Sequence, residues 1–302
     1  MKKLLFTILI GAVLQAACLS PPPTKPDAPA PAPRPRLAVL PFISGGAIVD
    51  DLEETFAWRL ANIPDIQKYY NIVPITPQIR KNIKQEQNYH SALDAGAEVH
   101  ADYVLVSFVR KIDRQWIMYT LIMDVATKEL ITGDYRKFDF LEDIPMQFPA
   151  MTAKMLGVVS QGKNNVPKLA VDVCKIPPMN NIAADVSAVL TQLLANEMAN
   201  NGMFRIFPRT DNIDAASIAY EKERRSAQSA VVDKSDLTAA DFVLSCKISS
   251  LTTPPRPPFE MLGEIVNIEN NRLWSGSHVS FDTMEDAPEY IVKLAKTLST
   301  IR

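Results

Sequence analysis

The chain has 302 residues, of which 47% are hydrophobic and 22% charged, a globular balance that excludes a disordered or fibrous polymer. Net charge is −2, and without Lys2 and Lys3 of the leader it is 30 basic against 34 acidic residues, so no basic face for nucleic acid is implied. Three cysteines, Cys18, Cys174 and Cys246, are too few for a disulfide scaffold or a four-cysteine metal site.

Residues 1–17 read as a secretory signal: two lysines, an apolar run from Leu4 to Leu14, then small residues, too short to span a membrane. The Ala16-Ala17-Cys18 ending resembles a bacterial lipoprotein lipobox, with Gln15 where that pattern usually has leucine. The resemblance implies that Cys18 is lipidated; ordinary cleavage near Ala17, leaving a free thiol, is the alternative. Each acyl methylene buried in a bilayer contributes about 0.8 kcal/mol, so several chains would anchor the protein firmly. Residues 18–36 alternate proline with alanine and cannot build a core. They predict an extended tether, at about 3.1 Å per residue, that lifts the rest off the membrane.

A first α/β module is expected over 37–157. Leu37–Phe42 is a continuous apolar run, as in a strand covered on both faces. Gly45-Gly46 breaks it, and Asp50 with Glu53 reads as a capping box opening a helix whose apolar face is Leu52, Phe56 and Leu60. Tyr70–Ile75 is the second strand, placed at a sheet edge because Pro74 cannot donate to a ladder. A polar helical region from Ile79 to His100 leads to a third strand, Tyr103–Val109. Turns at Asp113-Arg114 and Thr127-Lys128 then bound two more strands, and a helix runs from Ile144 to Leu156.

After a linker at 158–167, a second module over 168–302 repeats the first. Leu60, Ala61, Asn62, Ile72, Pro74 and Thr76 recur 134 residues later as Leu194, Ala195, Asn196, Ile206, Pro208 and Thr210. Ala101-Asp-Tyr-Val-Leu105 recurs as Ala240-Asp-Phe-Val-Leu244, and Leu130, Gly133 and Phe138 recur as Leu273, Gly276 and Phe281. Three ungapped blocks in one order indicate an internal duplication. Each unit reads β-α-β-α-β-β-β-α, whose helical crossovers require three parallel strands in the order 2-1-3, with two antiparallel strands added. The expected fold is α/β: two tandem repeats of a mixed, roughly five-stranded sheet with packed helices, each with its own core. Pro208 again marks its strand as an edge.

The "LAVLPF" first strand, the amphipathic helix, the edge strand and the "ADYVLVSFV" third strand resemble the amino-terminal domain of TolB. They also resemble CsgG-like modules and the LpoB-like activators of penicillin-binding proteins. The resemblance covers 37–157 and, more weakly, 168–302. It implies a non-enzymatic envelope domain that works by binding other proteins. Nothing here reads as the propeller that follows this domain in TolB. The hairpin from Gln115 to Phe138 has no spare length for the membrane-spanning additions of a CsgG pore.

Few residues suggest chemistry. His90, His100 and His278 lack metal-ligand spacing, and no phosphate loop, GxSxG or HExxH occurs, so no cofactor and no metal are expected. Gly45-Gly46 sits where α/β proteins often bind ligands, but a tight turn explains it as well. Glu142-Asp143 and Glu285-Asp286 precede the prolines that open the last helices and read as first-turn acid. Cys174 and Cys246 fall on neighbouring strands; a disulfide and a pair of packed thiols are both open. Pro254, Pro255, Arg256, Pro257 and Pro258 form a stiff loop that reads either as a spacer or as a partner contact.

The sequence thus leads to a non-catalytic, lipid-anchored periplasmic protein. It would bind an envelope protein or a peptidoglycan-associated partner, with a subunit of a CsgG-like assembly as the alternative. Leu19 lacks the aspartate that retains some lipoproteins at the inner membrane, which points to the outer membrane.

Overall fold

The computed structural model describes residues 34–44, 48, 50–86, 89–112, 114–156, 166–176, 183–208, 240–251 and 258–300. Pro35–Arg302 is one compact unit. The signal, most of the tether, Gly45-Gly46 and residues 209–239 lie outside the described residues.

In the first half, β1 (Arg36–Val39) leads to helices α1 (Asp50–Ala61) and α2 (Pro64–Tyr69), then to β2 (Asn71–Val73). Helices α3 (Pro77–Glu86) and α4 (Tyr89–Glu98) cross back to β3 (Tyr103–Ile112), which continues into β4 (Gln115–Asp124), β5 (Leu130–Phe138) and helix α5 (Ile144–Leu156). The second half has its strands in the same sequence order, with β6 (Lys168–Val171), α6 (Ala183–Asn201), β7 (Arg205–Pro208), β8 (Phe242–Ser250), β9 (Phe259–Asn267), β10 (Leu273–Phe281) and α7 (Ala287–Thr300).

Side chains alternate across the strands, so each strand feeds two layers. Leu37, Val39, Leu105, Val109, Met118 and Ile122 face α1, α2 and α5. Ala38, Leu40, Val104, Val106 and Phe108 face the other way, toward α3 and α4.

Asp50 is the first helical residue of α1, and Glu53 is buried with its carboxylate accepting the Ser44 hydroxyl hydrogen, which ties the end of the first strand segment to the helix. The helical region expected from Ile79 to His100 is made of two helices, α3 and α4. His100, at φ 54°, ends α4 in the left-handed conformation that closes a helix.

Corresponding details recur in both halves. Asp102 accepts the Arg36 backbone N–H at 2.7 Å, and Asp241 accepts that of Lys168 at 2.8 Å. Asp124 accepts the Thr127 N–H, as Asn267 accepts that of Asn270, and the β4–β5 and β9–β10 turns pass through Lys128 and Asn271 at φ 59° and 52°.

The halves do not form separate cores. All ten strands form one sheet in the order β10-β9-β8-β6-β7-β5-β4-β3-β1-β2. Each half contributes five strands in the same lateral order, with β1, β2 and β3 parallel, as are β6, β7 and β8. β7 is therefore interior, contrary to the edge position read from Pro208. It pairs antiparallel with β5 through Leu130 and Ile206, ahead of Pro208, so the proline blocks nothing. The antiparallel joint turns the second half over. Helices α6 and α7, the counterparts of α1 and α5, pack on the face that α3 and α4 cover, and one apolar cluster runs across both halves.

Candidate functional site

The seam between the halves is where the polar side chains converge. A single β5–β7 residue pair leaves much of the β5 edge without strand partners, and α6 supplies substitutes. The Asn200 amide donates to the Gly133 carbonyl at 2.9 Å and accepts from the Thr132 hydroxyl at 2.9 Å. Buried Asn196, held by Gln192 at 3.1 Å, lies directly over Gly133, where a Cβ would meet its carboxamide at 2.6 Å. Glu129 and Arg205 form an ion pair across the joint. Lys137 reaches the first turn of α7, 3.1 Å from Glu289 and 3.2 Å from the Glu285 carbonyl. Burial raises the Tyr135 phenol to about 12, and the Glu197 and Glu289 carboxylates add to the shift. The Asp134 carboxylate is buried beside Arg136 at 2.8 Å. The Asn200, Glu129–Arg205 and Lys137 contacts hold two halves of one sheet together, while Asp134 and Arg136 pair within β5.

A second feature lies at the outer edge of the sheet. Beyond β2, a cleft of ≈ 470 Å³ is lined by Val39, Trp58, Ile72, Ile75 and Arg80, among others, with Arg80 paired to Glu54 at 3.2 Å. The lining is mostly apolar, as a surface for docking a protein segment is. Its one prominent aromatic, Trp58, stands in solvent.

The residues read from the sequence fall in different places. Cys18 and residues 254–257 lie outside the described residues; Pro258 is described, and its carbonyl accepts the Leu251 N–H at 2.7 Å. Cys174 and Cys246 are joined by a disulfide, their Cα atoms 4.4 Å apart. Cys174 lies past the end of β6, in a segment that leaves the ladder before rejoining it at Lys175–Lys247, so the bond is not made between paired residues of two parallel strands. His100 and His278 are exposed on different elements, and the His90 side chain is outside the description. Glu142 and Asp143 sit in a short 3-10 turn before α5, while the Asp286 carbonyl accepts the first N–H groups of α7 and its carboxylate accepts from Thr283 at 2.8 Å. Among the described residues, no cluster of His, Cys, Asp or Glu is arranged to hold a metal ion, and no helix is long and apolar enough to cross a membrane.

Two sets of residues escaped the sequence reading of function. Asp102 and Asp241 recur in both copies because each caps the start of a first strand. Gly133 with Asn196 forms the seam, and the signal was present in the repeat itself, where both residues recur.

Residues 143–257 match the family described as peptidoglycan-synthase activator LpoB. The match runs from the end of the first half through β8 of the second and stops before β9. No curated protein matches the chain in sequence. Among solved structures, the LpoB C-terminal domain from Salmonella enterica is 19% identical over 37% of this chain and 88% of that one, with a TM-score of 0.26. The PelC dodecamer from Paraburkholderia phytofirmans is 14% identical over 47% and 93%, with a TM-score of 0.29. TolB from Acinetobacter baumannii is 11% identical over 47% of this chain and 30% of that one, with a TM-score of 0.27.

Proposed function

We propose that the chain is a non-catalytic, lipid-anchored protein of the bacterial envelope that binds a peptidoglycan synthase and regulates it. The observation that carries this reading is the match of residues 143–257 to the peptidoglycan-synthase activators. That stretch runs from the last helix of the first half, through α6 of the seam, to the proline-rich connection after β8. It thus includes the interior framework of the second half and one candidate contact loop.

The remaining features fit such a task. Lipid on Cys18 would fix one end at the membrane, here taken as the outer one. Residues 18–36, if extended at about 3.1 Å each, would reach roughly 60 Å into the periplasm. A disulfide at Cys174–Cys246 suits that oxidising compartment. A regulator of this type offers shape and hydrogen-bonding surface to its partner and supplies no reacting group.

In-cell crosslinking of the anchored protein, with identification of what is captured, tests the proposal. A synthase of the penicillin-binding class should be recovered, and the purified protein should change its polymerising rate. Repeated recovery of no synthase, with other envelope proteins captured normally, would overturn it.

A further inference from the structure

The joint within this chain is heterologous: the β5 side of one half meets the β7 side of the next. The corresponding surfaces are left over at the two ends of the sheet. β10 is the counterpart of β5 and pairs only with β9 among the described strands, while β2 is the counterpart of β7 and pairs only with β1. A heterologous contact used once can be used again by a further copy. We propose that the β10 edge of one molecule pairs antiparallel with the β2 edge of a second copy of this chain, Leu273 opposite Ile72, joining the sheets head to tail.

Exposure supports this occupant over an unrelated one. Leu130, at the internal joint, is 2% exposed, whereas its counterpart Leu273 is 59% exposed. On the face that α6 covers in the internal joint, Tyr119 is buried, and its counterpart Leu262 on β9 is exposed. At the other end, Gln192 of α6 is 1% exposed, and its counterpart Trp58 of α1 is 67% exposed. The apolar cleft beside Trp58 borders β2, the edge a further strand would extend. Leu130, Tyr119 and Gln192, buried at the internal joint, thus have the apolar counterparts Leu273, Leu262 and Trp58 exposed at one end of the sheet or the other.

The repeat carries a steric signature of the same contact. Gly133 lies under Asn196 with no room for a Cβ, and both recur in the duplicate blocks as Gly276 and Asn62. Within one molecule these two stand apart. Gly276 would have ordinary space for a Cβ, its nearest neighbour being Leu273 at 3.6 Å, and Asn62 is exposed in the turn just past the end of α1. Head-to-tail pairing would seat Asn62 of one copy on Gly276 of the other. Pro74 does not prevent it, since Pro208 holds the same place in β7 and that strand is paired.

Other contacts would not repeat. Arg272 and Asn71 replace the Glu129–Arg205 ion pair, and Ile66 stands where Asn200 does. The contact between copies is therefore weaker than the internal one, and assembly is reversible and concentration-dependent.

The mature lipoprotein in detergent provides the test. Light scattering over a concentration series should give masses that are multiples of one chain. Gly276→Val and Trp58→Glu, at opposite ends, should each leave the circular dichroism spectrum unchanged and reduce the mass to a single chain. Leu273→Cys protein mixed with Ile72→Cys protein should form a disulfide-linked pair, which neither forms alone. A single-chain mass at every concentration would overturn the proposal. So would Gly276→Val assembling as well as the parent, or crosslinking within each variant as readily as between them.

Discussion

The carboxamide of Asn196 lies over Gly133 so closely that a methyl group on that glycine would stand 2.6 Å from it. The two residues belong to different halves of the chain, and their packing leaves no room for a side chain at position 133. Gly133→Ala should therefore force α6 away from β5, with overpacking costing about 1–3 kcal/mol. Urea unfolding should show a lower midpoint at an unchanged slope. Gly276→Ala, where a Cβ meets only ordinary contacts, should stay within about 0.5 kcal/mol of the parent at concentrations where the protein is a single chain.

The Cys174–Cys246 bond closes a loop with a sequence separation of 72 residues. Its loss should cost about 2–4 kcal/mol, chiefly by freeing the unfolded chain. Intact mass with and without reductant should differ by two hydrogens, and reductant should lower the thermal midpoint. A double Cys174→Ala, Cys246→Ala variant should match the reduced parent and no longer respond to reductant.

Tyr135 should ionise late in an alkaline titration. Burial, with Glu197 and Glu289 nearby, raises its pKa to about 12 from the ordinary value of 10.0. Between these values the unfolded chain loses the proton while the folded chain keeps it, so stability falls as pH rises across that window. Below pH 10 the contribution is fully present. Tyr70 and Tyr103 are shifted upward too, by burial first, so Tyr135→Phe should reduce the alkaline loss of stability without abolishing it. Denaturant midpoints measured at several alkaline pH values would show this.

Cys18→Ser should move the protein from the membrane fraction to the soluble periplasmic fraction while leaving the unfolding transition of the folded part unchanged. Fractionation, together with mass spectrometry of the mature N-terminus for attached acyl groups, checks both halves of that expectation.

Much of each half was legible in the strand cores. Leu37–Leu40, Tyr103–Val109 and their second-half counterparts are apolar runs whose periods and crossovers leave few arrangements, and the order of strands 2-1-3 follows from them. The turns were legible for a local reason, since Thr127-Lys128 and its counterpart lie where a hairpin needs a left-handed residue. What could not be read was Pro208: a proline's missing donor excludes a ladder bond at that residue, and says nothing of Ile206 two positions earlier, where the joint forms.

The amino-acid sequence on its own determined the recurrence of residue blocks between the halves and the order of elements within each, because these depend on local period and composition. Only the tertiary structure decided that the two halves share one sheet, turned over relative to each other, with Asn196 seated on Gly133. The reason is physical: strand order within a half follows from short-range connections, whereas the joint depends on how two completed surfaces fit, and no short stretch of chain encodes that fit.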